Sequence, residues 1–203
     1  MDIRPQQIKQ ALTRAHQREA GACPPLPGLS PEGRQPAAVL IPLLQDDKGW
    51  NALFIKRTHQ DLDRHSGQIA FPGGRSEPGD SDLLATALRE AQEEVGTDPG
   101  DIQILGQSCT IQTVTDYEIS PFVGILPWPY PLRLSTAEVE KTLTIPLAWL
   151  GDPHNYSVRS WESRSVPGRT YPVIFYQEYK GEILWGATAR IVQDFLELLQ
   201  QTG

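Results

Sequence analysis

The sequence predicts an α/β protein built as a single domain. From Pro36 onward, segments with the pattern of β-strands alternate with segments whose apolar residues recur at helical spacing. The chain has 203 residues, of which 39% are hydrophobic, and this is enough for one core of ordinary size. Two domains would be cramped at this length, so we expect one.

A helix and an arm are predicted ahead of that domain, in residues 1–35. In residues 3–20 basic residues outnumber acidic ones, as they do in organelle presequences, but the segment contains little serine. We therefore favour an amphipathic helix packed on the domain. Residues 21–35 are rich in proline and glycine and are predicted to form a linker or an extended arm. Residues 36–203 then form the folded domain.

The domain is predicted to open with a β-hairpin and to close with a helix. Strands at 37–44 and 50–57 flank a polar, glycine-containing turn. Apolar residues at helical spacing predict the closing helix at 186–201. The elements between them are a helix at 82–95, strands at 102–115 and 119–126, a short helix or turn at 136–142, and a hairpin formed by 173–179 and 183–185.

The most informative segment is 71–96, which reads FPGGRSEPGDSDLLATALREAQEEVG. In a helix, Glu90, Glu93 and Glu94 stand at i, i+3 and i+4 and share one face. Neighbouring carboxylates on a helix repel by roughly 0.2–0.5 kcal/mol per exposed pair, and a hard divalent cation such as Mg²⁺ reverses that sign. The apolar residues of the helix fall near the opposite face: Leu84, Leu88, Ala91 and Val95.

A solvated acidic face is the ordinary interpretation of such a glutamate-rich helix. Two features of the context favour a functional site instead. Residues 71–74, Phe-Pro-Gly-Gly, supply a turn with two residues that tolerate positive φ just ahead of the helix. Asp80, Ser81 and Asp82 offer N-capping side chains at its start.

The whole string resembles the Nudix box, which has a Gly, a spaced acid, Arg-Glu, a bulky apolar residue, any residue, Glu-Glu, any residue and Gly. The match has departures. One extra residue separates Gly74 from Arg89, and Asp80 stands in place of the spaced Glu, with Glu77 nearby. Ala91 and Thr97 also occupy positions where bulky aliphatic residues are usual. The extra residue is a feature of the coenzyme A pyrophosphatase branch of the family.

An upstream segment is similar to the second signature of that branch. Residues 53–58, Leu-Phe-Ile-Lys-Arg-Thr, match its strand, and Gly67 leads into the Phe-Pro-Gly-Gly turn with one inserted residue. Asp63 stands where the branch has Arg, so Arg64 is the favoured replacement. Further resemblance lies at 117–124, 138–139, 145–147 and 184–189, which extends the match from about the fortieth residue to the end.

This resemblance implies the fold and the chemistry. The expected fold is the Nudix α/β/α sandwich with a mixed β-sheet. The expected reaction is hydrolysis of a pyrophosphate with Mg²⁺ or Mn²⁺ held by Glu90, Glu93 and Glu94. Arg89 is expected to orient a carboxylate, either Asp80 or Glu77. The general base comes either from the box, with Glu93 or Glu90, or from a later loop, where Glu138 is the candidate; an ordinary exposed loop glutamate is the alternative at that position.

The same resemblance implies a nucleotide substrate. In this branch the substrate is coenzyme A or a derivative, cleaved to 3′,5′-ADP and a phosphopantetheine product. The residues expected to hold the nucleotide or its phosphates are Arg57, Arg64, His65, Gly73 and Gly74. A basic stretch at 159–169 is interpreted either as a loop that closes over the ligand or as a surface insertion.

Two other functions remain open on the sequence. The chain could cleave another nucleoside diphosphate, such as ADP-ribose, because the box recognises the diphosphate and not its attachments. It could also be a non-catalytic nucleotide-binding module, although the retained glutamates argue against this. A net charge of −7 disfavours general binding of nucleic acids.

Charge, hydropathy and cysteine content predict a cytoplasmic protein. No apolar run reaches the roughly 18 residues of a membrane span, so no membrane association is expected. Cys23 and Cys109 are far apart in sequence and are predicted to be free thiols in a reducing compartment. The sequence allows an oligomer without fixing the number of subunits.

Overall fold

The fold is taken from a computed structural model that describes residues 3–17, 33–59, 66–162 and 168–201. The helices are α1 (Pro5–Gln17), α2 (Leu83–Val95), α3 (Leu147–Leu150) and α4 (Gly186–Gln200). The strands are β1 (Gln35–Asp46), β2 (Gly49–Arg57), β3 (Ile69–Ala70), β4 (Gly73–Arg75), β5 (Gln103–Gln107), β6 (Ile111–Gln112), β7 (Tyr117–Ile125), β8 (Val139–Pro146), β9 (Tyr156–Glu162), β10 (Thr170–Tyr179) and β11 (Glu182–Trp185).

Strands β1 to β8 form one mixed sheet. β1 and β2 make the predicted antiparallel hairpin, and β1 pairs in parallel with β7 along its other edge. β8 extends the sheet beyond β2, and β5 extends it beyond β7. The short strands β3 and β4 pair with β2 and β1 respectively, and β4 also contacts α2.

Helices cover both faces of this sheet. Ala38 and Leu40 of β1 pack toward α2, where Ala87 and Ala91 are fully buried. Ile41 and Leu43 of the same strand face the other way, into a core that includes α1 and α4. Because successive side chains of a strand point to opposite faces, one strand supplies both cores. The predicted α/β/α sandwich with a mixed sheet is confirmed.

The N-terminal helix is part of the second core. Ile8 and Leu12 of α1 are buried at 0% and 1% exposure, and the indole nitrogen of Trp50 donates to the carbonyl oxygen of Ile3 at 2.7 Å. The N-terminal helix therefore packs against the sheet to which Trp50 belongs. The predicted arm falls largely on residues 18–32, which lie outside the described residues.

A second sheet of three strands, in the order β11–β10–β9, corrects the interpretation of 159–169 as a loop or insertion, because residues 159–162 belong to β9. Residues 170–176 pair antiparallel with 156–162 in continuous register. The signal for β9 is the alternation of apolar and polar residues over 156–159, Tyr-Ser-Val-Arg, which the basic character of the stretch obscured. The predicted hairpin between β10 and β11 is confirmed.

Two further predicted elements differ in the structure. The strand expected at 102–115 is divided into β5 and β6, with an irregularity in register between Ile104 and Gly106. The segment 136–142 is a turn only as far as Glu138, and β8 begins at Val139. Pairing with β2 over seven residues extends this segment as a strand, a long-range effect that local pattern does not encode.

The prediction of free thiols is wrong for Cys109, which is disulfide-bonded. Separation in sequence does not exclude a disulfide, because folding brings distant segments together, as it does when α1 packs against β5. Cys23, the only other cysteine of the chain, lies outside the described residues. Cys109 therefore gives no support to a reducing compartment. Among the described helices, none has the length and apolar character to cross a membrane.

Candidate active site

Helix α2 begins and ends with well-defined caps. Of the three predicted capping residues, Asp82 is the one that caps, since its carboxylate accepts from the backbone N–H of Ala85 at 2.8 Å. Gly96 follows the last turn at φ +72°, and its N–H donates to the carbonyl oxygen of Gln92. These caps fix both ends of the segment that carries the glutamates.

The three glutamates of α2 differ in burial. Glu94 is 2% exposed, Glu90 is partly buried and Glu93 is exposed. This corrects the expectation that all three share a face opposite the core. Ala87, Ala91 and Glu94 follow one another at i, i+4 and i+7, so the spacing that buries the two alanines also buries Glu94.

Donors from two other elements compensate the buried carboxylate of Glu94. The backbone N–H of Gly73 donates to its Oε2 at 2.9 Å, and Nη1 of Arg57 lies 3.8 Å from its Oε1. Burial raises the pKa of Glu94 to about 7, with smaller contributions from the charges of Glu90 and Glu138. Helix α2, strand β4 and the end of β2 therefore meet at this one side chain.

Arg89 connects the glutamates with the turn that precedes the helix. Its Nε and Nη2 bind the two oxygens of Asp80 at 2.9 and 3.1 Å, and Nη2 also donates to the carbonyl oxygen of Arg75. Its Nη1 lies 3.0 Å from both Glu90 and Glu93. Of the two partners the sequence proposed for Arg89, the structure selects Asp80.

Asp80 is itself held by two donors besides Arg89. The backbone N–H of Glu77 and the hydroxyl of Thr86 both donate to its Oδ2, at 2.9 and 2.8 Å. The hydrogen bond from Arg89 is the main cause that holds the pKa of Asp80 well below its usual value. Thr86 was missed in the sequence, because a threonine on an apolar helix face carries no signal of such a contact.

Gly73 and Gly74 belong to strand β4 and not to the predicted turn, and both are required for close approach. A Cβ on Gly73 would overlap the carbonyl oxygen of Ala38 in β1. A Cβ on Gly74 would overlap the carboxylate of Glu90. The predicted glycines therefore lie directly against the acidic helix, one against the sheet and the other against a candidate ligand.

Glu138 lies beside Thr58, at the end of the sheet where Arg57 and Glu94 meet. Its carbonyl oxygen accepts from Thr58 N–H at 2.8 Å, and its N–H donates to Ser135, whose own N–H donates to the carbonyl oxygen of Glu94. The Glu138 side chain is exposed, and its charge adds to the raised pKa of both Glu90 and Glu94. Glu138 thus joins Glu90, Glu93 and Glu94 in what we call the acidic cluster.

The cluster has the oxygen donors that a hard divalent cation requires. Burial is the main cause that raises the pKa of Glu90, and the charges of Glu93 and Glu138 add to it. A cation would relieve this repulsion, so the donor set fits Mg²⁺ or Mn²⁺. Within the part of the chain that is described, however, no three acidic, histidine or cysteine side chains are gathered as a ready-made metal cage.

The other substrate-binding candidates have different outcomes. Arg57 is one-third exposed at the end of β2, beside Glu94. Arg64 and His65 lie outside the described residues, so their assignment stays a prediction. Lys56, adjacent to Arg57, instead binds Glu140 and Glu182 at 3.2 and 3.0 Å.

The sequence model of the NUDIX domain family matches residues 33–161 of this chain. The chain belongs to the Nudix family. Its match covers the mixed sheet, α2 and the candidate site, and Nudix hydrolases generally use divalent metal ions.

Curated relatives extend this Nudix assignment over most of the chain. A protein from Photorhabdus laumondii, described as an uncharacterized Nudix hydrolase NudL, is 35% identical over 87% of this chain and 91% of its own length. A protein of the same description from Shigella flexneri serotype 5b is 35% identical over 85% of each chain. These relatives support a pyrophosphohydrolase and leave its substrate open.

A solved Nudix structure agrees with the fold. The crystal structure of a MutT/nudix family protein from Enterococcus faecalis has a TM-score of 0.51 with this chain, at 13% identity. The similarity covers 99% of this chain and 76% of that one. At this identity it bears on the fold alone.

Proposed function

We propose that this Nudix hydrolase cleaves the pyrophosphate bond of coenzyme A or its derivatives, giving 3′,5′-ADP and 4′-phosphopantetheine or its acyl form. The observation that carries the proposal is the contact of Glu94 with both Arg57 and Gly73. These three residues come from the upstream signature, the glycine turn and the box, which are separate in sequence. Their convergence supports the interpretation that the whole branch signature serves one site.

The acidic cluster has a defined role in this proposal. Glu90, Glu93 and Glu94 would hold Mg²⁺ or Mn²⁺, with Arg89 orienting Glu90 and Glu93 through its Nη1. A bound divalent ion neutralises charge on a diphosphate and lowers the pKa of a bound water. Arg57 has one-third of its side chain exposed beside Glu94, and we assign it to a phosphate of the substrate.

Glu138 is the proposed general base. It would take a proton from the attacking water as the oxygen of that water bonds to phosphorus and the bridging P–O bond breaks. Its side chain is exposed, whereas Glu94 is buried and Glu90 and Glu93 are engaged with Arg89. The hydrogen bonds from Thr58 N–H and to the carbonyl oxygen of Ser135 fix its backbone beside the acidic cluster.

Product analysis of two substrates tests this proposal. Purified protein is incubated with coenzyme A or ADP-ribose at equal concentration, with Mg²⁺ or Mn²⁺. The nucleotide products are then separated and identified by mass spectrometry. We expect 3′,5′-ADP from coenzyme A at a higher kcat/KM than AMP from ADP-ribose. A preference for ADP-ribose would reject the coenzyme A assignment and keep the enzyme class. Hydrolysis of neither would favour a nucleotide-binding module.

A further inference from the structure

The outer face of the three-stranded sheet carries one large aromatic ring from each strand. Trp161 of β9, Phe175 of β10 and Trp185 of β11 form a mutual cluster, which we call the aromatic platform. The rings of Phe175 and Trp185 stack with centroids 5.3 Å apart and planes 5° from parallel. Trp161 lies 6.0 Å from Phe175 and 5.9 Å from Trp185.

The aromatic platform faces away from the core. On β11, Leu184 is 2% exposed and Glu182 binds lysines of the large sheet, so the alternate residues Ile183 and Trp185 lie on the outer face. Ile183 is 50% exposed and Trp161 is 44% exposed. Large apolar side chains exposed together on one face mark a binding surface more often than chance scatter does.

A cation accompanies the aromatic platform. The guanidinium carbon of Arg159 lies 4.7 Å from the centre of the Phe175 ring, and its Nε is 3.3 Å from the hydroxyl of Ser157. Arg159 is exposed, and it forms no salt bridge with an acidic residue of the described chain. A stacked guanidinium keeps donors in its plane that suit a phosphate.

The three-stranded sheet is fastened to the strands that end at the candidate active site. Glu182 bridges Lys56 of β2 and Lys141 of β8 at 3.0 and 2.8 Å. β11 also contacts β3, which is followed along the chain by β4 with its two glycines. Trp185 is three residues from Glu182, or about 10 Å along the strand. The platform is therefore held by the same strand that carries Arg57.

We propose that the aromatic platform binds the nucleobase of the substrate, with Trp161 stacking on the ring and Arg159 binding an attached phosphate. This inference rests on the proposed function, because it supplies the base-recognition surface of a nucleoside diphosphate hydrolase. Bases stack on exposed aromatic rings whatever their sequence, and an adjacent arginine adds attraction to the ring and the phosphate. One platform and one cation suit a single nucleotide, even on a chain with net charge −7.

Kinetics of a matched set of variants test the aromatic platform. Trp161→Ala removes the exposed ring, Trp161→Phe retains a smaller one, and Val158→Ala alters a 60% exposed residue of the same strand on its opposite face. We expect Trp161→Ala to raise KM for coenzyme A about ten-fold with kcat within two-fold, and Trp161→Phe to recover most of that loss. Val158→Ala should behave as the unmodified protein.

Nucleotide binding without hydrolysis separates this proposal from the proposed function. Tryptophan fluorescence is titrated with 3′,5′-ADP or with ribose 5-phosphate, which lacks a base, in the presence of EDTA. Quenching by 3′,5′-ADP alone, lost in Trp161→Ala and kept in Val158→Ala, supports the platform even if the protein hydrolyses no diphosphate. An unchanged KM in Trp161→Ala, in a protein that cleaves coenzyme A, overturns it. So does self-association that Trp161→Ala abolishes without changing 3′,5′-ADP binding, because the face then joins two copies.

Discussion

Arg89 holds the acidic helix in place through the geometry of its side chain. One guanidinium binds both oxygens of Asp80, a backbone carbonyl oxygen and two glutamates of its own helix. A bidentate contact of this kind needs the planar fork of arginine, which lysine lacks. We therefore propose that Arg89 positions Glu90 and Glu93 and does not bind substrate.

The first prediction follows from this geometry. Arg89→Lys keeps the charge and loses the fork, so we expect kcat to fall by about 10–100-fold with a smaller change in KM. Arg190→Lys is the control, because Arg190 binds Asp194 through its Nε on α4, in the other core layer. Steady-state kinetics measure both variants. Equal activity of Arg89→Lys and the parent would contradict a positioning role.

The second prediction concerns acid stability. Arg89 lowers the pKa of Asp80 in the folded state, so this carboxylate contributes stability that is fully present above its unfolded pKa of about 3.9. That stability is lost as the pH falls through this value toward the lower folded pKa. We expect Asp80→Asn to lower the melting temperature at pH 6 and the difference from the parent to shrink below about pH 4. A difference that is constant with pH would contradict this account.

At the scale of elements, the site depends on how closely β4 approaches α2. Gly73 lies against the backbone of β1 and Gly74 lies against the side chain of Glu90. Backbone cannot move without disturbing the sheet, whereas a glutamate side chain can rotate away. We therefore expect Gly73 to be needed for the stability of the fold and Gly74 for the position of Glu90, a candidate metal ligand.

The third prediction uses this contrast. Gly73→Ala should destabilise the protein by about 1–3 kcal/mol through overpacking against β1. Gly74→Ala should retain its melting temperature within a few degrees and lose about 100-fold in kcat, because Glu90 is displaced. Gly79→Ala is the control, since a Cβ there meets no atom within 4 Å. Activity of Gly74→Ala equal to that of Gly79→Ala would contradict the placement of Glu90 in the site.

The sequence predicted elements well where the pattern is local. Helix α2, its N-cap and the hairpin of β1 and β2 follow from spacing and turn residues that lie side by side in the chain. β8 and β9 were missed because their strand character depends on partners far away in sequence. The burial of Glu94 was missed although its spacing from Ala87 and Ala91 is local, because the donors that compensate its charge come from β4 and β2.

At the scale of the whole molecule, the N-terminal helix belongs to the same core as the last helix. Ile8, Leu12 and Phe195 share one buried cluster with β1 and β2. Strand β2, which ends at Arg57, and strand β8, which follows Glu138, therefore share a sheet that packs on residues outside the matched domain at 33–161. Sequence spacing predicted a helix there, but no local signal measured how deeply it packs.

The fourth prediction tests this packing. Leu12→Ala should lower the free energy of unfolding by about 2–5 kcal/mol, because Leu12 is 1% exposed and its removal leaves a cavity. Arg14→Ala, at an exposed position two residues away on α1, should change it by less than about 0.5 kcal/mol. Urea denaturation measures both. A loss in Leu12→Ala as small as that in Arg14→Ala would mean that α1 is not part of the folded core.

The most direct test of the account is metal-dependent hydrolysis of coenzyme A by the parent protein, Glu93→Gln, Glu94→Gln and the control Glu140→Gln. Glu140 is a half-exposed glutamate that binds Lys56 outside the acidic cluster. We expect the parent to be inactive in EDTA and active with Mg²⁺ or Mn²⁺, both cluster variants to lose about 100-fold or more in kcat, and Glu140→Gln to stay within two-fold. Full activity in EDTA, or in Glu94→Gln, would contradict a metal site built on the acidic face of α2.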